Sequence, residues 1–544
     1  MSSRRTAPSL LAVAAVATLG IAFAAPAAAR GGADQPAVAA AAETPATAAA
    51  ETPATAAAET PASPAATPAA PAAVEVVTLP SPSSPLVAIN AFFRVGSMDD
   101  PAGKEGLAAL TAAVVGEGAT TKRSFKDLVE ALYPLAATIS TRTDREVTVF
   151  TVEVHRDKLD ELTALFTEVL LSPKFDDSDF SRHKSQAESY LTTTLRAASD
   201  ELLGLEAIQQ EVFAGHPYEH SPAGTVAGLA AITLDDVKAF WRDRFTTGAL
   251  TLGVAGGYPA GYPEKLAAAL GGLPQGPRRE RPLPPAPQPQ GREFTLVEKG
   301  AASVGIHLGY PLPINRADAD WYPFMVANSF LGEHRTFHGR LQNELRAARG
   351  LNYGNYSYIE HYFLPPQTSN PTPNVPRRQQ YFSIWVRPVQ PAAATFATRG
   401  ALHQVDRLLK DGMTEEEFDL TRDFLVNYSK LWAQTLSRRL GFLLDSTYYG
   451  TPYFIDEIDR RLGAMTAAQV NAAIRKYLQT DRYEAVMVTA DAAAMEARLR
   501  AAEPPFTYPN PVPAAVTAAD PAILGTKLEP TKVEIVPVAQ MFEK

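Results

Sequence analysis

The chain predicts a duplicated α+β fold, and three observations carry that expectation. Strand-like and helical periods alternate along the chain instead of segregating into separate runs. A proline-rich break divides it: Pro274, Pro277, Pro282, Pro284, Pro285, Pro287 and Pro289 fall within 273–292, a density that blocks helix and ladder pairing alike and marks a linker. The two flanking halves also repeat each other in order. The segment from Leu170-Leu171 through Asp176-Asp177 to Phe180 matches, in spacing, that from Leu408-Leu409 through Thr414-Glu415 to Phe418. Each reads as an apolar helix end, an acidic N-cap and a new helix. Further on, the run from Ala231 through Thr233 to Val237 parallels that from Ala464 through Thr466 to Val470, each followed by a helix and an apolar strand. One match is within reach of chance; two in the same order argue duplication.

Taken in order, residues 1–29 read as a secretory signal. Arg4 and Arg5 supply the charged start, 10–23 the apolar stretch, and Ala27-Ala28-Ala29 the small-residue cleavage site. An uncleaved anchor is the alternative, but the apolar stretch is diluted by alanine and closes with Pro26. The expectation is an exported, periplasmic protein with no stable membrane anchor. Residues 30–73 are a spacer of Ala, Pro and Thr, with Glu43, Glu51 and Glu59 eight apart and almost nothing to bury. A first domain is expected over 74–272: strands at 74–79 and 86–95, helical runs at 106–115 and 125–135, a strand at 146–155, an amphipathic helix at 159–171 and a strand at 250–255. The linker 273–292 follows, then a second domain over 293–505 with strands at 380–389 and 485–489, and a tail, 506–544, whose 532–542 stretch carries a strand-like run.

Composition narrows the function. A formal net charge of -9 spread along 544 residues leaves no basic face for nucleic acid. The absence of cysteine excludes disulfides, a thiol nucleophile, cysteine-ligated zinc and a lipid anchor on Cys. No G-x-S-x-G elbow and no P-loop are present.

One segment carries more information than any other. Gly96-Ser97, Asp99-Asp100-Pro101 and Gly106-Leu107-Ala108 run directly into Ala109-Leu110-Thr111-Ala112-Ala113. Further along stand His216-Pro217-Tyr218, Gly224, Ile232-Thr233, Val237, Phe240 and Phe245, and in the second half Asn343-Glu344-Leu345-Arg346, then Arg349-Gly350-Leu351-Asn352-Tyr353. In this order they resemble the insulinase/pitrilysin-like zinc peptidases, the inverzincins, over roughly 74–505, and within them the non-catalytic subunit type. The resemblance implies a mitochondrial-processing-peptidase-like pair of homologous domains arranged as a clamshell, each a mostly antiparallel sheet with helices on one face. In the family H-x-x-E-H stands where this chain has 109–113. Two imidazoles four apart share a helix face and grip zinc, and the glutamate polarises the bound water. Ala109, Ala112 and Ala113 do neither. The family's third ligand is a downstream glutamate, for which Glu188 is the nearest candidate, and as a lone carboxylate it reads as a solvated surface group. The resemblance therefore implies no metal in this chain, with zinc expected in a partner subunit.

The family also implies roles for Arg346 and Tyr353, seven apart. The guanidinium holds a substrate carbonyl and the phenol donates to the oxyanion. The competing reading has Arg346 at a helix end and Tyr353 at a core edge, with Arg349 in a surface ion pair. His216 with His220, and His334 with His338, are each four apart, but Pro217 interrupts the first pair and structural histidines are the commoner case. The expected function is a non-catalytic, substrate-binding subunit of a heteromeric zinc metallopeptidase. It supplies Arg346 and Tyr353 to an H-x-x-E-H-bearing homologous partner for hydrolysis of peptide substrates. The alternative is a non-enzymatic peptide-binding or scaffold protein on the same fold.

Overall fold

β-branched and aromatic residues with period-two spacing build two sheets of matching topology. They are seen in a computed structural model that describes residues 74–544, apart from Glu280, Arg335, Phe337, 363–369, Glu503 and Pro509. The expected signal and spacer lie outside the described residues.

The first sheet contains β1 (Glu75–Pro80), β2 (Leu86–Phe93), β3 (Ser140–Thr143), β4 (Thr148–His155) and β5 (Leu250–Gly256), in the order β1-β5-β2-β4-β3. Only β1 and β5 run parallel. The second sheet contains β6 (Arg292–Glu298), β7 (Val304–Leu312), β8 (Asn355–Tyr358), β9 (Gln380–Val389), β10 (Tyr483–Thr489) and β11 (Lys532–Pro537), in the order β11-β6-β10-β7-β9-β8. With β11 set aside, the two orders coincide strand for strand, which is the duplication expressed in space. The helix starts agree as well. Thr233 and Thr466 close capping boxes with Asp236 and Gln469 at the heads of helices Leu234–Arg244 and Ala467–Tyr477. In the other repeated pair, Asp176 caps helix Asp177–Ser189, but Thr414 rather than an acid caps helix Glu415–Trp432.

Each domain's own helices lie on one face of its sheet, and the other face is covered by a helix from the other domain. In β2, Val87, Ile89, Ala91 and Phe93 point into the core shared with the first domain's helices. The alternate residues Ala88 and Phe92 pack with Leu436, Leu440 and Leu444 of helix Leu436–Tyr449, from the second domain. In return, helix Asp200–Val212 of the first domain lies over β7 and β10, and Val297, Val486 and Val488 of the second sheet join the first domain's core. Close approach needs small residues: a Cβ on Gly253 of β5 would meet Leu444 at 2.9 Å, and one on Gly204 would meet the His307 ring at 2.5 Å. Because of this exchange the described residues fall in a single unit.

Charge and the tail complete the closure. Arg377 forms a two-pronged pair with Asp144, at 2.7 and 2.6 Å, both side chains being 1% exposed. Glu146, fully buried, accepts from Arg281 (3.2 Å) and from the Arg378 side chain and backbone (2.8 Å each). The hydroxyls of Tyr218 and Tyr448 also donate to it. The stretch 370–376 is held to the second domain by Arg438, which donates to Pro371 O at 2.6 Å, and by Asn374 N–H, which donates to Asp445 at 3.1 Å. It meets the first sheet where the Asn90 amide donates to the Asn374 side-chain oxygen at 3.3 Å. After β11 the tail returns to the first domain, where Met541 and Phe542 are buried in its core. There Val226 and Ala227 N–H donate to Phe542 O and Glu543 O, each at 2.9 Å.

Candidate functional site

The run of small residues from Leu107 to Gly116 forms a helix whose start is set by the segment before it. Gly106, at φ +104°, makes the turn that L side chains rarely adopt, and a Cβ there would meet Gly224 Cα at 3.0 Å. The Asp100 carboxylate accepts from Gly106 N–H (2.8 Å) and Ala108 N–H (2.7 Å), satisfying donors at the helix head. His220 Nε2 reaches the same carboxylate at 3.1 Å. Burial pushes the Asp100 carboxyl up, while His220 and the two N–H donors pull the other way. Asp99 accepts from Gly96 N–H at 3.0 Å and pairs with Arg281 at 3.0 Å. The acidic pair thus shapes the turn and the helix start even though the metal residues are gone.

Ala109 and Ala113 are half-buried and Ala112 is buried. None offers a donor atom. Glu188 is half-buried on helix Asp177–Ser189, which packs beside the 107–116 helix. Among the described residues no group of three or more His, Cys, Asp or Glu is placed to hold a metal. A zinc ion does not fit these side chains.

Arg346 sits on a π-turn, Gln342–Ala347, and Gly350 (φ +64°) reverses the chain so that Tyr353 comes back towards it. The two meet: the Arg346 guanidinium carbon stands 4.8 Å from the Tyr353 ring centroid. Arg387 stands 4.9 Å from the same centroid and pairs with Glu201 (2.6 and 3.0 Å), on the helix lent by the first domain. Tyr353 is 65% exposed, so it is not a core-edge residue. Its hydroxyl takes no protein partner among the described residues. Arg349 departs from the surface ion pair expected of it. It is buried, bonded to Glu344 (2.9 Å), Asp520 (3.1 Å) and Val516 O (3.0 Å), and it ties the tail down.

The histidines do not pair as ligands. His216 uses both ring nitrogens, with Pro284 O at 2.9 Å and Tyr218 N–H at 3.1 Å. His220 is the partner of Asp100. His334 is buried, bonded to the Tyr358 hydroxyl and stacked on Tyr356, while His338 is exposed; both lie beyond the end of helix Trp321–Gly332. Burial alone lowers the His307 imidazole to about 3. Sequence reading missed the cluster of buried Asp144, Glu146 and Arg377 with the exposed Arg378. Adjacent charged residues in a loop ordinarily signal a solvated surface, and nothing local marks them as partners more than 230 positions apart.

Comparison with known proteins gives a consistent result. Residues 75–225 match the family model described as insulinase (peptidase family M16), and 231–425 match the one described as the peptidase M16 inactive domain. The non-peptidase homolog YmxG of Helicobacter pylori is 25% identical over 406 residues, 73% of this chain and 87% of that protein. An uncharacterized zinc protease of Mycobacterium leprae is 23% identical over 432 residues, 77% and 90% of the two chains. Among solved structures, a peptidase M16 inactive domain from Pseudomonas fluorescens superposes with a TM-score of 0.66 at 23% identity, covering 76% of this chain and 95% of its own.

Proposed function

The chain belongs to the insulinase (M16) peptidase family as an inactive member without the metal-binding motif, and from that premise we propose that it is the substrate-binding subunit of a two-chain peptidase. The partner is a homologous chain bearing H-x-x-E-H, which supplies the metal. This chain supplies Arg346 and Tyr353. The observation that carries the reading is their convergence: the two side chains meet at 4.8 Å, with the phenol 65% exposed and its hydroxyl unoccupied by protein among the described residues. Arg346 holds the carbonyl of a bound peptide by charge-assisted hydrogen bonds. The Tyr353 hydroxyl donates a hydrogen bond to the charge that grows on that carbonyl oxygen. Arg387, itself held by Glu201, keeps the Tyr353 ring in place. Export to the periplasm, expected from 1–29, belongs to the same proposal.

The test is reconstitution. The purified chain should cleave no peptide; mixed with an H-x-x-E-H homologue of matched origin it should restore hydrolysis. Tyr353→Phe and Arg346→Ala should each lower kcat in the mixture by about 10²–10³, the usual cost of losing one oxyanion donor. An unchanged rate in both variants would overturn the role and leave the scaffold reading. Chelator-sensitive cleavage by the chain alone would overturn the division of labour.

A further inference from the structure

A cavity of about 570 Å³ opens where the first domain, the linker and the second domain meet. Its wall carries five arginines, Arg94, Arg278, Arg279, Arg281 and Arg378, together with the ring of Tyr448. It shares no residue with the Arg346–Tyr353 site. Five guanidiniums in one wall repel one another unless countered. Three carboxylates counter three of them. Asp99 and Glu146 hold Arg281 at 3.0 and 3.2 Å, Glu146 holds Arg378 at 2.8 Å, and Glu75 holds Arg278 at 2.6 Å. Arg94 and Arg279 have no carboxylate within ion-pair distance among the described residues.

Arg94 is the more telling of the two. It is half-buried, its Nε is buried without a hydrogen-bond partner, and its guanidinium carbon lies 4.7 Å from the Tyr448 ring centroid. Burial, and then the charge of Arg278, push its pKa below the usual arginine value. Tyr448 and Glu75 oppose that shift, but Glu75 is paired with Arg278, and a half-desolvated cation with no carboxylate of its own at contact distance is costly; an anion seated there offsets that cost. Arg279 donates to Asp243 O at 2.9 Å but is otherwise exposed at the rim, where it can meet the same ligand. The rest of the wall includes Pro282 and Ala317. A volume well within the range of small-molecule and peptide pockets, about 300–1,000 Å³, and apolar as well as cationic walls suit a carbon skeleton bearing two acidic groups better than a bare inorganic ion.

We propose that this interdomain cavity binds an acidic peptide segment, with Arg94 and Arg279 each engaging a carboxylate. The binding needs no partner subunit, so it is measured on the chain alone, and its failure leaves the reconstitution test untouched. The probe is a dye-labelled hexapeptide with two adjacent aspartates, followed by fluorescence anisotropy at low salt. The control is the same peptide with asparagines, and inorganic pyrophosphate forms a separate arm. The acidic peptide should bind at least about tenfold tighter than its amide twin, and Arg279→Gln should weaken it by about tenfold, one lost charge-assisted contact. Arg94→Gln should weaken it further, and Arg94→Lys should restore part of the loss; a melting curve for each variant separates binding from folding. Equal binding of the acidic and amide peptides overturns the proposal, as does unchanged affinity in the folded Arg279→Gln chain. Binding of pyrophosphate with none of the peptide also overturns it and reassigns the site to small phosphates.

Discussion

At the scale of single residues, the Arg377–Asp144 pair holds the two domains together. Burial alone would raise the Asp144 carboxyl, but the Arg377 charge and hydrogen bonds outweigh it and hold it at about 2. Its contribution is therefore complete above the ordinary aspartate pKa of about 3.9 and is lost as pH falls towards 2. Arg377→Ala should cost about 3–5 kcal/mol in urea unfolding at neutral pH, because it strands a buried carboxylate. The same variant should lose less at pH 2.5, where Asp144 begins to protonate; an equal loss at both values would refute the assignment. Glu484 on β10 behaves in the opposite sense. Burial, then the charges of Glu293 and Glu211, push it up to about 8, with Lys532 opposing. A raised folded-state pKa gives stability that is present below about 4.3 and is lost as pH rises through 8. Glu484→Gln should therefore raise Tm at pH 8 and flatten the decline between pH 5 and 8, a difference that scanning calorimetry at the two values resolves. Arg346 and Tyr353 were visible in the sequence as a spacing, and Ala109, Ala112 and Ala113 as an absence. Arg94 was not visible, because an isolated arginine after a strand carries no sign of what surrounds it.

At the scale of elements, the metal helix persists without its metal. Alanine is the best helix former and adds no unsatisfied polar group, and the Asp100 carboxylate still satisfies the N–H groups at its head. Helices after Thr233 and Thr466 were legible because their caps use local chemistry, a hydroxyl accepting from an N–H three residues on, whereas at the head of helix Glu415–Trp432 the run of acids masked Thr414 as the cap. The tail was legible only as a strand-like run. Its partner, β6, lies some 240 residues earlier in the chain, and no local period names a distant partner. Deleting 530–544 removes β11 and the buried Met541 and Phe542, exposes β6 as an open edge, and should lower Tm and promote aggregation. Unchanged melting and light scattering after the deletion would show that the tail is not a structural element.

At the scale of the whole described molecule, the exchange of helices sets the cooperativity. Each sheet needs the other domain to cover its second face, so the two domains should unfold in one calorimetric transition rather than two. Leu440→Ala, fully buried at the back of the first sheet, should cost about 2–5 kcal/mol and lower that single transition as a whole. Two separated peaks, with only one shifted, would contradict the exchange. Residue order alone was enough to read that the chain is duplicated, that it has no H-x-x-E-H and that Arg346 and Tyr353 stand seven apart. These are matters of composition, spacing and local periodicity, which a linear text records. Three-dimensional packing set which helix covers which sheet, that Arg349 anchors the tail while Tyr353 stands exposed, and that Arg94 and Arg279 line one cavity with no carboxylate at ion-pair distance among the described residues. Those outcomes depend on which distant surfaces exclude water together, and burial of that kind leaves no mark in the order of neighbouring residues.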